Sequence, residues 1–347
     1  MDFEKHADFS SIDPQEWNAL AAEGVSDVPF LRHEYLKAWW GTRGGGEWPQ
    51  AELALISARE GGRLVGIAPL FKAEYEGRSS LLLLGSIEIS DYLDLIVREA
   101  DLEPFLSALL DYLDMEPSLA GWQGLDWYNV PEGSPTLPAL RRLAEKRGWS
   151  YTEEVYRPTP AIVLPGGFEA YLATVEKKQR HEIRRKVRRA EESGRGVRWY
   201  RVTDAGTLDA EMESLFRLME NDPAKAQFLT PAMREQMRLT AHLAFENDWL
   251  WLAFLEIDGQ KAACAFNFDY CGRLWGYNSG VDRRFMELSP GWVLLAYVLQ
   301  WAADNGRSEF DFMRGGEEYK YRFGAVDRHV MKAVVGRGEM PATDEHG

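Results

Sequence analysis

Thirteen consecutive residues near the middle of the chain, 177–189, carry eight positive charges and only one acid, Glu182. Arginine binds phosphate through two parallel hydrogen bonds, so it is favoured where a phosphate-bearing ligand docks. Charge alone supports a solvated helix between two domains equally well. On the phosphate interpretation, Arg184 and Arg185 are candidate ligands.

A second short segment, Ser289-Pro290-Gly291, has the composition of a helix start. Serine is a preferred N-cap and proline suits the first helical position, so the apolar residues from Trp292 onward continue a helix. The first N–H groups of a helix lack partners within it, and the helix dipole makes that end positive. The segment therefore predicts a pyrophosphate site at Ser289, Gly291 and Trp292, with ordinary capping as the alternative.

The run from Asp311 to Gly324 combines charge with backbone freedom. Asp311 ends a predicted short strand, and Arg314-Gly315-Gly316 places a cation beside glycines, where a ligand or another segment can approach closely. The alternative is a structural corner in which Asp311 pairs with Arg314 or Lys320.

Other common catalytic chemistries have no support in the sequence. No two of the six histidines have the spacing of a zinc motif, and Cys264 and Cys271 match neither a zinc nor a redox motif. Gly133-Ser134-Pro135 lacks the second glycine of a nucleophile elbow. We therefore expect no metal, no disulfide framework, and neither a Ser-His-Asp hydrolase nor a Walker-type NTPase.

The elements that would position these residues occur twice. Two hairpins are predicted, one over 51–71 with its turn at 59–62 and one over 249–268 with its turn at Asp258-Gly259. Each is followed by further strand and then by a helix, at 102–115 and 290–305. The later segments 125–132 and 310–317 align without a gap, sharing an apolar residue, an aspartate, an aromatic residue and a final glutamate.

This repetition predicts two related α/β units, residues 1–155 and 156–347, each with a mixed sheet. The basic segment lies between their hairpins on a predicted helix, 168–193. Its narrow apolar stripe consists of residues at steps of three or four: Leu172, Val175, Gln179, Ile183, Val187 and Ala190.

Composition agrees with two packed domains. The 347 residues are 45% hydrophobic and 27% charged, with a net charge of −15. So negative a chain is unsuited to coating nucleic acid non-specifically, although a local basic patch remains possible. No apolar run reaches the length of a membrane span, and the acidic start lacks a signal-peptide core, so we expect a cytoplasmic protein.

Together, these motifs resemble the GNAT-type acyltransferases of the CelD-like group, which is associated with cellulose and other exopolysaccharide synthesis and related to the Fem aminoacyl transferases. The resemblance covers about residues 28–325 and rests on the basic helix, the 289–291 helix start, the 311–324 run and, in the first half, 65–70 and 90–94. It implies two tandem GNAT-like domains, each a twisted mixed sheet flanked by helices. It also implies an acyltransferase that moves an acyl group from acetyl-CoA or another acyl-CoA to an amine or hydroxyl of a small-molecule or saccharide acceptor. An aminoacyl-tRNA donor, as in Fem-type relatives, and a non-catalytic scaffold are the alternatives.

The resemblance also implies roles for individual residues. It places the acyl donor in the second domain, with Lys320 at its phosphates. The phosphate loop of the family falls on 286–291, where Met286 and Ser289 depart from the family pattern. Attack on a thioester calls for a general base and a proton donor. The carboxylates considered are Asp91, Glu88, Asp282 and Glu317, and the tyrosines are Tyr277 and Tyr319; of these we select Asp91, Glu317 and Tyr319.

Overall fold

A computed structural model describes residues 1–46, 48, 50–75 and 77–337. The chain divides into two compact units, one of residues 1–157 with the final strand from His329, and one of residues 158–328. The boundary expected between residues 155 and 156 lies two residues from this division. The final strand corrects the sequence-based division, because we assigned it to the second domain and it pairs within the first sheet.

The first unit contains, in chain order, β1 (Asp2–His6), α1 (Pro14–Ala22), α2 (His33–Arg43), β2 (Glu52–Glu60), β3 (Arg63–Tyr75), β4 (Arg78–Leu83), β5 (Ile96–Val97), α3 (Glu99–Met115), β6 (Gly124–Pro131), α4 (Thr136–Lys146) and β7 (Ser150–Pro158). The second unit contains β8 (Ala161–Val163), α5 (Phe168–Thr174), α6 (Lys177–Glu191), β9 (Val197–Arg201), α7 (Leu208–Met219), α8 (Pro223–Phe228), α9 (Pro231–Glu246), β10 (Leu250–Ile257), β11 (Gln260–Tyr270), β12 (Arg273–Val281), α10 (Pro290–Asp304), β13 (Glu309–Asp311) and α11 (Glu318–Arg322). The final strand, β14 (His329–Gly336), completes the first unit.

The first sheet has the order β1-β2-β3-β4-β6-β14-β7, with β5 paired to β3. Strands β4 and β6 run parallel. The apolar face of α3 packs on this sheet in one continuous core. A Cβ on Gly66 would lie 2.4 Å from the Phe105 ring, so glycine lets α3 lie directly on β3.

The second sheet has the order β8-β13-β12-β11-β10-β9. Its one parallel pair is β12 with β13, and its other pairs are antiparallel. The core between this sheet and helices α5, α6 and α10 includes Leu172, Val175, Ile183 and Ala190, four members of the predicted apolar stripe. Over the described residues, no helix is both long and apolar enough to cross a lipid bilayer.

Two mixed sheets flanked by helices confirm the predicted fold class. Both hairpin turns use residues at positive φ, Gly61-Gly62 in one and Asp258-Gly259 in the other. The predicted repeat has the same pairing register in the two units. Leu125 and Asp126 pair in parallel with Leu81 and Leu82, as Phe310 and Asp311 pair with Leu274 and Trp275.

The single helix predicted over 168–193 is wrong in one respect, because the structure divides it. Val175 and Glu176 are extended, with ψ of 141° and 137°, and separate α5 from α6. Val175 is buried and packs against Gly324, where a Cβ would contact its side chain at 3.3 Å. The tertiary contact of this β-branched residue thus overrides the local helical pattern.

Candidate active site

Strand β12 has an edge that is uncovered for most of its length. On this side β12 pairs with β13 only through Arg273–Trp275. Asp282 N–H donates to the carbonyl of Ala262 at 2.8 Å. Because inward and outward groups alternate in an antiparallel pair, the N–H and C=O groups of Ser279 and Val281 point away from β11, toward the uncovered edge.

Helix α10 begins where this edge ends. Pro290 is its first residue, as predicted, but the Ser289 side chain makes no capping bond, so the predicted side-chain N-cap is wrong. Ser289 instead adopts the left-handed region, at φ 53°, and closes the preceding 3₁₀ segment Arg283–Leu288 by donating its N–H to the carbonyl of Met286.

Two backbone N–H groups are free at this helix start. The first backbone hydrogen bond of α10 runs from Val293 N–H to the carbonyl of Ser289, at 3.0 Å. Among the described residues, the N–H groups of Gly291 and Trp292 have no acceptor, as expected for the first turn. A Cβ on Gly291 would lie 2.7 Å from Val281 Cγ1, so glycine brings the first turn into contact with the end of β12.

The side chain of Trp292 joins α10 to the basic helix α6. The Lys186 ammonium lies 3.8 Å from the centre of the Trp292 ring, and the Phe323 ring packs on it with centres 4.6 Å apart. Burial lowers the pKa of Lys186. Within the described chain the indole N–H is buried without a partner. The Trp292 indole N–H is therefore a third N–H group at the helix start without a partner among the described residues.

Arg184 and Arg185, the two arginines selected from sequence, occupy different positions on α6. An open groove lies beside α6. Arg184 pairs with Glu169 and is not among the residues that line this groove. Arg185 pairs with Glu182 at 2.7 Å and does line it. The structure therefore places Arg185 at the groove, together with Leu288 near the start of α10, and places Arg184 on another face of α6.

This open groove, which we call the arginine groove, has a volume of about 560 Å³. Its lining consists of Arg185, Arg188, Arg189, Glu192, Ser193 and Leu288. Leu288 lies three residues before Gly291, which offers one of the free amides. Sequence reasoning selected neither Arg188 nor Arg189, because charge density alone does not reveal which face of a helix meets a neighbouring element.

Lys320 is engaged by its own chain. The residue is 3% exposed, and its ammonium donates to the carbonyls of Phe312, Arg314 and Gly315 at 3.2, 3.2 and 2.8 Å. It also pairs with Glu317 at 2.8 Å. An ammonium has three donors, and these contacts use them all. The expected phosphate contact of Lys320 is therefore corrected to a structural role, in which Lys320 pairs with Glu317 and not with Asp311, the partner named in the alternative.

Glu317 and Tyr319 lie next to this corner. The Glu317 side chain is 58% exposed, and its carboxylate packs over Gly315, whose φ is 113°. The Tyr319 ring contacts Phe312 edge-on. Desolvation, and secondly the Glu317 carboxylate, raise the pKa of Tyr319, so its phenol is protonated at neutral pH. The pair thus places a carboxylate and a phenolic proton donor together.

Lys225, which sequence reasoning missed, reaches the uncovered edge of β12. Its ammonium donates to the Ser279 carbonyl at 2.6 Å. Burial lowers the pKa of Lys225, while Cys264, Asp222 and Glu317 raise it and Lys320 lowers it further. Lys225 therefore lies close enough to Glu317 and Lys320 to interact with them electrostatically. No local pattern marks it, because only tertiary packing brings α8 to β12.

The other carboxylates and the second tyrosine have different surroundings. Asp282 accepts from Arg284 N–H and pairs with its guanidinium, which holds the pKa of Asp282 below its usual range. Tyr277 is buried among Phe266 and Phe268. Asp91 and Glu88 belong to the first unit, in the loop between β4 and β5.

In the first unit, β6, the equivalent of β13, is bonded to the loop that follows β4, the equivalent of β12. The side chain of Asn129 on β6 donates to the carbonyls of Ile87 and Ser90, both at 3.0 Å, and the backbone carbonyl of Asn129 accepts from Leu93 N–H. The first turn of α3, the counterpart of α10, contains Glu99 and Asp101. Acids at a helix N-terminus disfavour a bound anion. Of the two units, the second is therefore the one suited to a phosphate ligand.

Comparisons with known proteins address the fold of the chain. Residues 177–321 match the family model described as Acetyltransferase (GNAT) domain. No curated protein sequence matches the chain. A crystal structure of FemX has a TM-score of 0.65 at 14% identity, with 96% of this chain and 97% of that chain covered.

Two further structures share the arrangement. L-PGS from Bacillus licheniformis has a TM-score of 0.52 at 13% identity and covers 94% of this chain and 92% of its own. A tandem GNAT protein from the clavulanic acid biosynthesis pathway, solved without AcCoA, has a TM-score of 0.51 at 16% identity, with coverage of 97% and 99%. At these identities the likeness is one of fold. Residues 177–321 thus resemble a GNAT acetyltransferase domain, within a fold like that of tandem GNAT proteins, and the CelD-like assignment remains a prediction.

Proposed function

We propose that the chain is an acyltransferase whose second unit binds acetyl-CoA or another acyl-CoA and transfers its acyl group to an amine or hydroxyl. The acceptor that we propose is a sugar or cell-envelope precursor in the cytoplasm, from the resemblance to the CelD-like group. The match of 177–321 to the GNAT domain supports acyl transfer.

The observation that carries the proposal is the uncovered edge of β12 leading to the free amides of α10. Coenzyme A has a pyrophosphate and an extended arm with two amide groups. The Gly291 and Trp292 N–H groups suit the pyrophosphate. The outward N–H and C=O groups of Val281 and the outward N–H of Ser279 suit an amide-bearing arm added along a strand edge, while the Ser279 carbonyl accepts from Lys225.

The residues beside this edge suit the chemistry of thioester cleavage. The nucleophile loses a proton as it attacks the carbonyl carbon, and the carbon–sulfur bond then breaks to release the thiolate. In our proposal the Glu317 carboxylate accepts the proton and the Tyr319 phenol supplies one to the thiolate. Lys225 adds a positive charge at the edge of β12, next to Ser279. Asp91, in the first unit, remains an additional candidate base.

Calorimetric titration of the purified protein with acetyl-CoA tests the proposal. We expect saturable binding and a melting temperature that rises with ligand concentration, because a ligand of the native state stabilises it by mass action. Adenosine 3′,5′-bisphosphate, which lacks the arm, is the control and should bind more weakly. Absence of binding by acetyl-CoA and other acyl-CoAs would favour the non-catalytic scaffold.

The outward face of α6 favours a second candidate, an aminoacyl-tRNA donor. Lys177 and Lys178 are exposed, and the described residues provide no carboxylate partner for either. Such a surface releases counterions when it binds a polyanion. Tight binding of charged tRNA that weakens steeply with salt, without binding of acyl-CoA, would support this candidate over the first.

A further inference from the structure

The arginine groove has positive charge that the protein itself leaves uncompensated. Three arginines and one glutamate, Glu192, line it. One of the three, Arg185, pairs with a carboxylate, and so do the nearby Arg184 and Arg195, which do not line the groove. Arg188 and Arg189 have no carboxylate partner among the described residues, in a chain whose net charge is −15. The groove is therefore a local site for an anion.

The groove also has the size and lining for a nucleoside. Its volume of about 560 Å³ falls within the range of small-molecule sites. Leu288 gives it an apolar wall, and guanidinium groups stack on aromatic rings as well as binding phosphate. A purine nucleotide has both an aromatic ring and a phosphate.

Position connects the groove to the proposed donor. Leu288 lines the groove, and Gly291, three residues later, offers one of the free amides proposed for the pyrophosphate. In coenzyme A the adenosine is attached to that pyrophosphate and has a third phosphate on its ribose. A ligand whose pyrophosphate lies at Gly291 would place its adenosine end next to the start of α10, where the groove lies.

We infer that the arginine groove binds the 3′-phosphoadenosine end of the donor through Arg188 and Arg189. The protein therefore selects free acyl-CoA over donors that present the same arm without this phosphate. The inference rests on the proposed function, because it assumes that the donor is an acyl-CoA. It assigns a specificity role to two arginines on one face of α6.

Calorimetric titration with acetyl-CoA and acetyl-dephospho-CoA, which differ only in the 3′-phosphate, tests the inference. We expect the unaltered protein to bind acetyl-CoA at least about tenfold more tightly, because charge-assisted hydrogen bonds to a phosphate are strong. The double variant Arg188→Ala/Arg189→Ala should lose that preference and keep its affinity for acetyl-dephospho-CoA. Arg184→Ala, on the same helix but outside the groove, is the matched control and should keep the preference.

The possible failures can be distinguished. Equal affinity of the unaltered protein for the two thioesters overturns the inference and leaves the proposed function intact. An equal loss of preference in Arg184→Ala also overturns it, because the effect would be one of overall charge. No binding of either thioester contradicts the proposed function itself.

Loss of tRNA binding in the double variant, with the thioesters bound equally, would assign the groove to nucleic acid. Unchanged circular dichroism and melting temperature of the variants would show that they are folded.

Discussion

The buried ammonium of Lys320 holds the 312–315 segment in place. It donates to three backbone carbonyls and pairs with Glu317. Replacing it by methionine leaves these carbonyls without their donor in a site that is closed to water. We expect Lys320→Met to lower the free energy of unfolding by about 1–3 kcal/mol in denaturant titrations.

The neighbouring Arg322 gives a matched control for this prediction. Arg322 pairs with Glu318 one helical turn away, and both side chains are largely exposed. Exposed pairs of this kind contribute little to stability. Arg322→Met should therefore change the free energy of unfolding by less than about 0.5 kcal/mol. Equal effects of the two substitutions would contradict the structural role of Lys320.

The Asp94 carboxyl predicts a pH dependence of stability in the first unit. It is fully buried and accepts from Ser26 and Ser134 at 2.6 and 2.5 Å. Burial raises its pKa from the ordinary 3.8. A carboxyl with a raised pKa stabilises the fold most below its unfolded pKa, and that contribution is lost as pH rises toward the folded pKa.

We therefore expect the stability of the unaltered protein relative to Asp94→Asn to fall as pH rises above about 3.8 and then to level off. Denaturant unfolding of both proteins between pH 4 and 8 measures the difference. A difference that is constant over this range would show that Asp94 does not titrate differently in the folded and unfolded chains.

Residue-level roles are the part of the site that the sequence predicts least. The 289–291 segment is recognisable because proline fixes φ at the first helical position and glycine leaves room for close packing. The structural role of Lys320 and the position of Lys225 depend on carbonyls supplied by other elements. The same limit separates Arg184 from Arg185, which are adjacent in sequence but differ in their access to the groove.

At the scale of elements, the fit of α10 against β12 fixes the amide-lined start of the helix. A Cβ on Gly291 would lie 2.7 Å from Val281 Cγ1, closer than real contacts allow. We expect Gly291→Ala to destabilise the protein by about 1–3 kcal/mol, as overpacking does. Val281→Ala removes the clashing methyl groups and should restore part of the loss.

A double-mutant cycle of these two substitutions, followed by thermal unfolding, measures the coupling. Because the residues are in contact, we expect the double variant to be more stable than additivity predicts by at least about 0.5 kcal/mol. Additive effects would mean that α10 does not pack against the end of β12 as described.

Elements are predictable where local signals agree with tertiary packing. Both hairpins appear with their turns at the expected residues, because glycine in the left-handed region determines the turn. The break between α5 and α6 contains neither proline nor glycine and arises from the packing of Val175. The pairing of β14 with β6 joins segments about 200 residues apart, which no local pattern encodes.

At the scale of the whole molecule, the two units share a sheet design but differ beside the parallel strand pair, β12 with β13 in one unit and β4 with β6 in the other. In the second unit the edge of β12 lies open beyond Trp275, and no acid occupies the first turn of α10. In the first unit Asn129 bonds to the loop that follows β4, and Glu99 and Asp101 occupy the first turn of α3. The duplication therefore provides one site of this kind.

This asymmetry predicts that one chain binds one molecule of acyl-CoA. Calorimetric titration with acetyl-CoA should give a stoichiometry of one per chain. An anion at the start of α3 would meet the acids of the first turn of that helix. The neighbouring strand β6 is already bonded to the loop that follows β4. Replacing Asn129 by alanine removes the two side-chain hydrogen bonds but not those acids, so the stoichiometry should remain one. A second binding event in the unaltered protein would show that the first unit retains a donor site despite these acids and hydrogen bonds.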